Sequence, residues 1–102
     1  MQDFNVSIQP TSSPNIVKFE TNSILTKYRS YEFQNIDDAK DSPLAQQLFY
    51  LPFVKTVYLS GNFVAIECYN IVEWKDVQGE VASQIENYLN DGGVVINDRS
   101  EK

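Results

Sequence analysis

Residues 54–69 read VKTVYLSGNFVAIECY, two β-prone runs separated by Gly61-Asn62, and this stretch predicts one antiparallel hairpin. A Gly at the first of two loop positions supplies the backbone freedom that a tight hairpin turn requires. With those two residues as the loop, Leu59 lies opposite Val64, Val57 opposite Ile66, and Lys55 opposite Cys68. That face is mostly apolar. The other face pairs Ser60 with Phe63, Tyr58 with Ala65, and Thr56 with Glu67, half polar but carrying two aromatic rings. The first face should meet helices and the second should meet water or a partner. A slip of one residue would exchange the faces, so loop length and core face determine each other.

Upstream of the hairpin, residues 42–51 form the clearest helix signal. Ser42 is a good N-cap, and Pro43 at the first helical position gives up a hydrogen bond that would be unmade anyway. Leu44, Leu48 and Leu51 follow at helical spacing, with Ala45 and Phe49 widening the stripe, until Pro52 stops it. A helix of about ten residues cannot persist alone, so its stripe must pack on the sheet. Further upstream, residues 4–9 alternate Phe4, Val6 and Ile8 against Asn5, Ser7 and Gln9, a half-buried strand. The run PTSSPN at 10–15 ends it. Residues 16–20 resume extended, with Val17 and Phe19 on one face and Ile16 and Lys18 on the other. Residues 21–30 read equally as a helical turn or a bent strand; 30–33 is β-prone, and 35–41 is a polar connection.

Downstream, residues 70–89 predict the second helix. Asn70 and Glu73 have capping-box spacing, and Trp74, Val77, Val81, Ile85 and Leu89 recur at steps of three and four. Gly79 sits within it, so a short first turn followed by the main helix fits as well as one continuous helix. The run NDGG at 90–93 is a stop signal, and residues 94–96 could extend the chain a little further. The order is β-β-(β)-α-β-β-α. It implies a two-layer α+β domain, a mostly antiparallel sheet with two helices packed on one face. The domain is expected over residues 1–91, with 92–102 a tail or the start of an interdomain linker.

Composition restricts function. With 102 residues the chain makes one domain with a core that needs no disulfide or metal. Eight Lys and Arg among fourteen Asp and Glu, net charge −6, form no basic stripe, which argues against nucleic acid as a partner. No apolar run approaches eighteen residues, and no basic leader or lipidation motif is present, so a soluble cytoplasmic protein with no membrane contact is expected. The absence of His removes His-ligated zinc, Ser-His-Asp triads and Cys-His dyads. A single Cys cannot itself hold an iron-sulfur cluster. Catalysis would have to rest on carboxylates, Lys, Tyr or Ser, and a small carboxylate-based hydrolase would need two acids converging in one pocket.

Individual residues sort by their expected positions. Cys68 falls on the core face, where a free thiol is a small inert hydrophobe. Trp74 reads as a core anchor at the start of an amphipathic helix, beside Glu73 and Asp76, which favour a helix N-terminus. Asp37, Asp38 and Asp41 lack the alternation of a calcium loop and read as a solvated turn. The aromatic load of Tyr28, Tyr31, Phe33, Tyr58, Phe63 and Tyr69 exceeds what two short helices cover, so some of these rings should surface. Tyr58 and Phe63, on the second hairpin face, are candidate protein-contact residues.

Several runs taken together carry a family resemblance. TSSPNIVKF at 11–19, SPLA at 42–45 followed by Leu48-Phe49, Val54-Lys55 with Val57, and Phe63-Val64 with Ile66 and Trp74 occur in the order found in the N-terminal domain of Nfu (NifU-like) iron-sulfur scaffold proteins. The sequence resembles that domain from about residue 4 to residue 90, departing at Ser13, where the family commonly has Asn before the Pro. The resemblance implies a non-enzymatic accessory domain that contributes protein contacts during cluster assembly or delivery. It implies no cofactor in this chain, because the family's cluster sits on a separate C-terminal domain through a Cys-x-x-Cys pair shared between two chains. The sequence ends where the family's interdomain linker begins, which implies a domain of a longer protein. The implied partners are the cluster-bearing domain, apo iron-sulfur proteins or assembly chaperones. If the family motif reflects contact, Pro14, Asn15 and Lys18 join Tyr58 and Phe63 as contact residues. The alternative function is a stand-alone adaptor unrelated to iron; the alternative for the loop is that Pro14 and Asn15 only shape a strand connection while Lys18 stays solvated.

Overall fold

The structure, a computed structural model, describes residues 4–26 and 30–97. Five strands and two helices follow in the order β1 (Val6–Pro10), β2 (Ile16–Thr21), β3 (Tyr31–Phe33), α1 (Pro43–Phe49), β4 (Val54–Ser60), β5 (Phe63–Cys68) and α2 (Trp74–Asn90). They form the expected α+β arrangement. All five strands join one antiparallel sheet in the order β1-β2-β5-β4-β3, with the hairpin strand β5 at its centre.

The two-residue loop holds. Ser60 pairs with Phe63, and Gly61 takes a φ of +53°, the conformation for which a Gly is needed there. The chain after β2 wraps this turn. Leu25 and Thr26 donate their N–H groups to the Gly61 carbonyl at 2.7 and 3.1 Å, and Thr21 donates through N–H and Oγ1 to the Asn62 carbonyl at 2.7 and 2.9 Å. The buried Thr21 hydroxyl also lies 2.6 Å from the Ser23 carbonyl, and the buried Thr26 hydroxyl accepts the Gly61 N–H at 3.1 Å. The ambiguous stretch after β2 is a brace for the hairpin, up to Thr26; Tyr28 lies outside the described residues.

One pairing departs from expectation. Cys68 faces Val54 rather than Lys55, because a bulge between Val54 and Thr56 takes Lys55 out of the ladder. In strict register a Lys cation would enter the core beside Ile66, at a large desolvation cost. The bulge substitutes Val54, 5% exposed, and sends Lys55 outward to Glu67, Nζ to Oε2 3.8 Å.

Both helices cover the face formed by Val6 and Ile8, Val17 and Phe19, Val64 and Ile66, Val57 and Leu59, and Phe33. α1 packs on β4, and α2 on β1 and β2. Ser42 caps α1 by accepting the Ala45 N–H at 3.1 Å, and its hydroxyl donates to the Val95 carbonyl at 2.6 Å. The helix ends at Phe49 with Tyr50 as its C-cap, two residues before Leu51, the position that Pro52 keeps out of helical backbone. α2 runs unbroken through Gly79 but begins at Trp74, not Asn70. Glu73 is the extended N-cap residue with no side-chain bond, so the capping box does not form. Its C-terminus is a Schellman motif, with Gly92 at φ +85°, Gly93 N–H to the Tyr88 carbonyl at 3.0 Å and Gly92 N–H to the Leu89 carbonyl at 3.1 Å.

β1 starts at Val6 rather than Phe4 because α2 takes the preceding backbone. The Asn90 side chain accepts the Phe4 N–H at 2.7 Å and donates to the Phe4 carbonyl at 3.3 Å, while Glu86 accepts the Val6 N–H at 3.0 Å. Past the Schellman turn, the segment expected as a tail packs back. Ile96 is buried in the core, and Asn97 donates its N–H to the Asp41 carbonyl at 2.7 Å.

Candidate protein-contact face

The face of the sheet opposite the helices carries Ile16, Lys18 and Glu20 of β2, Phe63, Ala65 and Glu67 of β5, Thr56, Tyr58 and Ser60 of β4, and Glu32 of β3. Period-two alternation puts them there, and each remains partly or fully exposed. The register lays them out in rows. Lys18 and Tyr58 flank Ala65, with Glu32 beyond Tyr58; one row along, Ile16 and Thr56 flank Glu67.

Three of the five sequence candidates meet on this face. The Lys18 ammonium sits 4.6 Å from the centroid of the Phe63 ring, and the Phe63 and Tyr58 rings lie 6.1 Å apart at 37°. A cation over an aromatic face is attracted by about 0.5–1 kcal/mol at an exposed site, so Lys18 is held on Phe63 instead of extending freely into solvent. Tyr31 and Phe33 stack on each other at 6.1 Å on the core side. Among the other rings of the aromatic surplus, Tyr69 is well exposed at the far end of β5.

Beside this trio the sheet surface dips into a groove of about 290 Å³ lined by Ile16, Glu32, Thr56, Tyr58, Ala65 and Glu67. Glu67 has Lys55 at 3.8 Å on its rim, and Glu32 accepts from the Gln34 amide at 3.1 Å. Sequence reasoning placed Glu67 opposite Thr56 but did not find the groove. The missing piece was Glu32, whose position depends on β3 pairing with β4. Neither carboxylate is sequestered from solvent.

Pro14 and Asn15 belong elsewhere. They sit at the Cys68 end of β5, about 17 Å along the strand from Phe63 at ~3.4 Å per residue. The Asn15 carbonyl accepts two donors there, the Cys68 N–H at 2.9 Å and the Trp74 indole Nε1–H at 2.7 Å. Trp74 is 4% exposed and makes edge contacts with Phe19 at 5.6 Å and Phe53 at 6.1 Å. One backbone oxygen thus ties the start of β2, the end of β5 and the start of α2. Pro14 and Asn15 also border a second depression, with Val72, Glu73 and Lys75, of about 340 Å³.

The remaining polar candidates have structural surroundings. Cys68 is buried with Sγ 4.0 Å from the Val72 carbonyl, and burial pushes its thiol above the ordinary range, so it stays protonated and unreactive. A lone inward-facing thiol, with no group of three metal-ligating side chains among the described residues, does not fit an iron-sulfur cluster. Asp38 accepts the Gln34 N–H at 3.1 Å and shapes the loop before α1. No helix among the described residues is long and apolar enough to cross a membrane.

The fold and this surface define a class: a two-layer α+β domain with one sheet face packed and the other presented. The family described as "Scaffold protein Nfu/NifU N terminal" matches residues 6–92, and the chain belongs to it. An NFU1 iron-sulfur cluster scaffold homolog, mitochondrial, of Drosophila sechellia is 33% identical over 94 residues, 91% of this chain and 33% of that protein. The Drosophila willistoni counterpart is 30% identical over 88 residues, 85% of this chain and 30% of that protein. The chain thus spans about a third of the length of these relatives. Two solved structures share the fold. A NifU-like protein from Saccharomyces cerevisiae superposes with a TM-score of 0.76 at 24% identity, covering 93% of this chain and 86% of that one. Protein SAV1430 from Staphylococcus aureus superposes with a TM-score of 0.66 at 19% identity, covering 78% and 95%.

Proposed function

We propose that this domain is a non-catalytic docking module of an iron-sulfur cluster scaffold, using its open sheet face to hold a protein partner during cluster assembly or delivery. The observation that carries the reading is the Lys18–Phe63–Tyr58 contact on a face that no described element covers. Aromatic and cationic side chains held by neighbours on a rigid sheet lose little freedom on binding, which is what makes such residues effective in interfaces. Family membership and the scaffold relatives supply the biological setting. The partner is a cluster-bearing Cys-x-x-Cys domain, an apo iron-sulfur protein or an assembly chaperone. Cytoplasmic residence belongs to the same proposal; the Drosophila relatives carry mitochondrial in their names, and cell fractionation separates the two compartments.

Amide-shift mapping of isotope-labelled domain against a Cys-x-x-Cys domain from the same source, and then against an apo iron-sulfur protein, tests this. Shifts centred on Lys18, Tyr58 and Phe63 are expected with at least one of them. Shifts confined to Asn15, Glu73 and Lys75 would move the docking site to the Trp74 end. A flat response to both at millimolar concentration would overturn the docking role.

A further inference from the structure

We infer that the groove between Glu32 and Glu67 is a slot for an arginine side chain presented by the docked partner. This rests on the reading of the open face as a docking surface and names what the partner must bring.

Among the described residues the groove's lining contains two carboxylates and no basic side chain, although Lys18 occupies the same row of the sheet as Ala65 and Tyr58. Lys18 rests on the Phe63 ring, 4.6 Å from its centroid, rather than in the groove. Within the described residues the lining's negative charge is met only at its rim, by Lys55 at 3.8 Å from Glu67. Ile16 and Ala65 offer apolar surface for an aliphatic stem, and Tyr58 offers an aromatic flank for a planar cation. Glu32 and Glu67 are carried by strands on either side of β4 and stand one row apart. Two strand spacings of ~4.8 Å and a two-residue step of ~6.8 Å put their backbones roughly 12 Å apart, so the carboxylates approach one group only through their side chains. A guanidinium has five donors in a rigid fork and so can address separated acceptors, where an ammonium acts as a point charge. The groove, of about 290 Å³, has room for one such side chain.

The ligands that hold the slot in the free domain are weak ones. Lys55 approaches Glu67 at 3.8 Å with half its side chain exposed, and a neutral amide from Gln34 reaches Glu32. Exposed pairs of this kind contribute little and are readily exchanged. The chain's net charge of −6 adds a long-range attraction for a basic partner surface.

The test uses two probes of one shape, Nα-acetyl-arginine amide and its uncharged isostere Nα-acetyl-citrulline amide, titrated into labelled domain. Shifts at Glu32, Thr56, Ala65 and Glu67 are expected, with arginine binding at least roughly fivefold tighter than citrulline at low salt. In E32Q/E67Q that preference should vanish while the rest of the spectrum is unchanged. A65L, which fills the floor and keeps both charges, should abolish the shifts as well. Equal response to the two probes, or an arginine preference that survives E32Q/E67Q, would overturn the slot. The two readings fail separately. A partner that docks on Lys18 and Phe63 with equal affinity for wild type and E32Q/E67Q sinks the slot and leaves the docking face. An arginine preference in a domain that docks neither protein partner leaves the slot and removes the docking role.

Discussion

Val57, Leu59, Val64 and Ile66 are completely buried, whereas Tyr58, Phe63, Ala65 and Glu67, which alternate with them along the same two strands, all keep some solvent exposure. The two sets share a backbone, a turn and a register. Their difference is one of division of labour. The inward set contributes by removing apolar surface from water, and any change there is felt as stability. The outward set contributes little to folding, so its composition is free to serve contact. A single hairpin can therefore carry both the core of the domain and its presented face.

Substitutions can break this division or sharpen it, and the largest effect belongs to the inward face. Ile66→Ala on the central strand should cost about 2–5 kcal/mol in chemical denaturation, from lost transfer energy and the cavity left behind. Trp74→Phe should cost about 1–3 kcal/mol, because the Asn15 carbonyl loses its indole donor and keeps only the Cys68 N–H. A cost near zero would show that this carbonyl does not tie the three elements together. Ser42→Ala should lose about 1–2 kcal/mol with the N-cap. It should also speed hydrogen exchange at the Asn97 amide, since the hydroxyl holds the Val95 carbonyl.

Smaller effects follow away from the core. Gly79→Ala should gain about 1 kcal/mol, as a Cβ there meets nothing within 4 Å and Ala is the better helix former. The outward face gives the sharpest contrast. Lys18→Gln should change stability by no more than about 1 kcal/mol, the scale of an exposed cation–π contact, yet weaken partner docking measured by amide shifts. If Lys18→Gln cost as much as Ile66→Ala, the division between the two faces would be wrong.

How much of this was legible beforehand varies along the chain. Residues 16–20 and 57–66 showed their faces plainly, because a strand buried on one side alternates with period two. Ser42-Pro43 marked α1 for a local reason, capping chemistry within four residues. Lys55 was misplaced because a bulge leaves no local mark; it follows from the cost of a cation in the core. The capping-box spacing of Asn70 and Glu73 is misleading for a comparable reason. Trp74 must reach the Asn15 carbonyl, 59 positions earlier, and the chain between β5 and α2 is extended at Glu73 to let it do so.

The sequence by itself determined the α+β class, the hairpin and its two faces, the capped first helix and the family, all of which rest on short-range spacing or on ordered motifs. Tertiary structure alone decided what meets on the open face. The Lys18–Phe63 contact needs β2 beside β5, and the Glu32–Glu67 groove needs β3 on the outer edge of β4. Strand order in a sheet is set by how the buried faces close over the helices, a property of the whole chain that no single segment encodes.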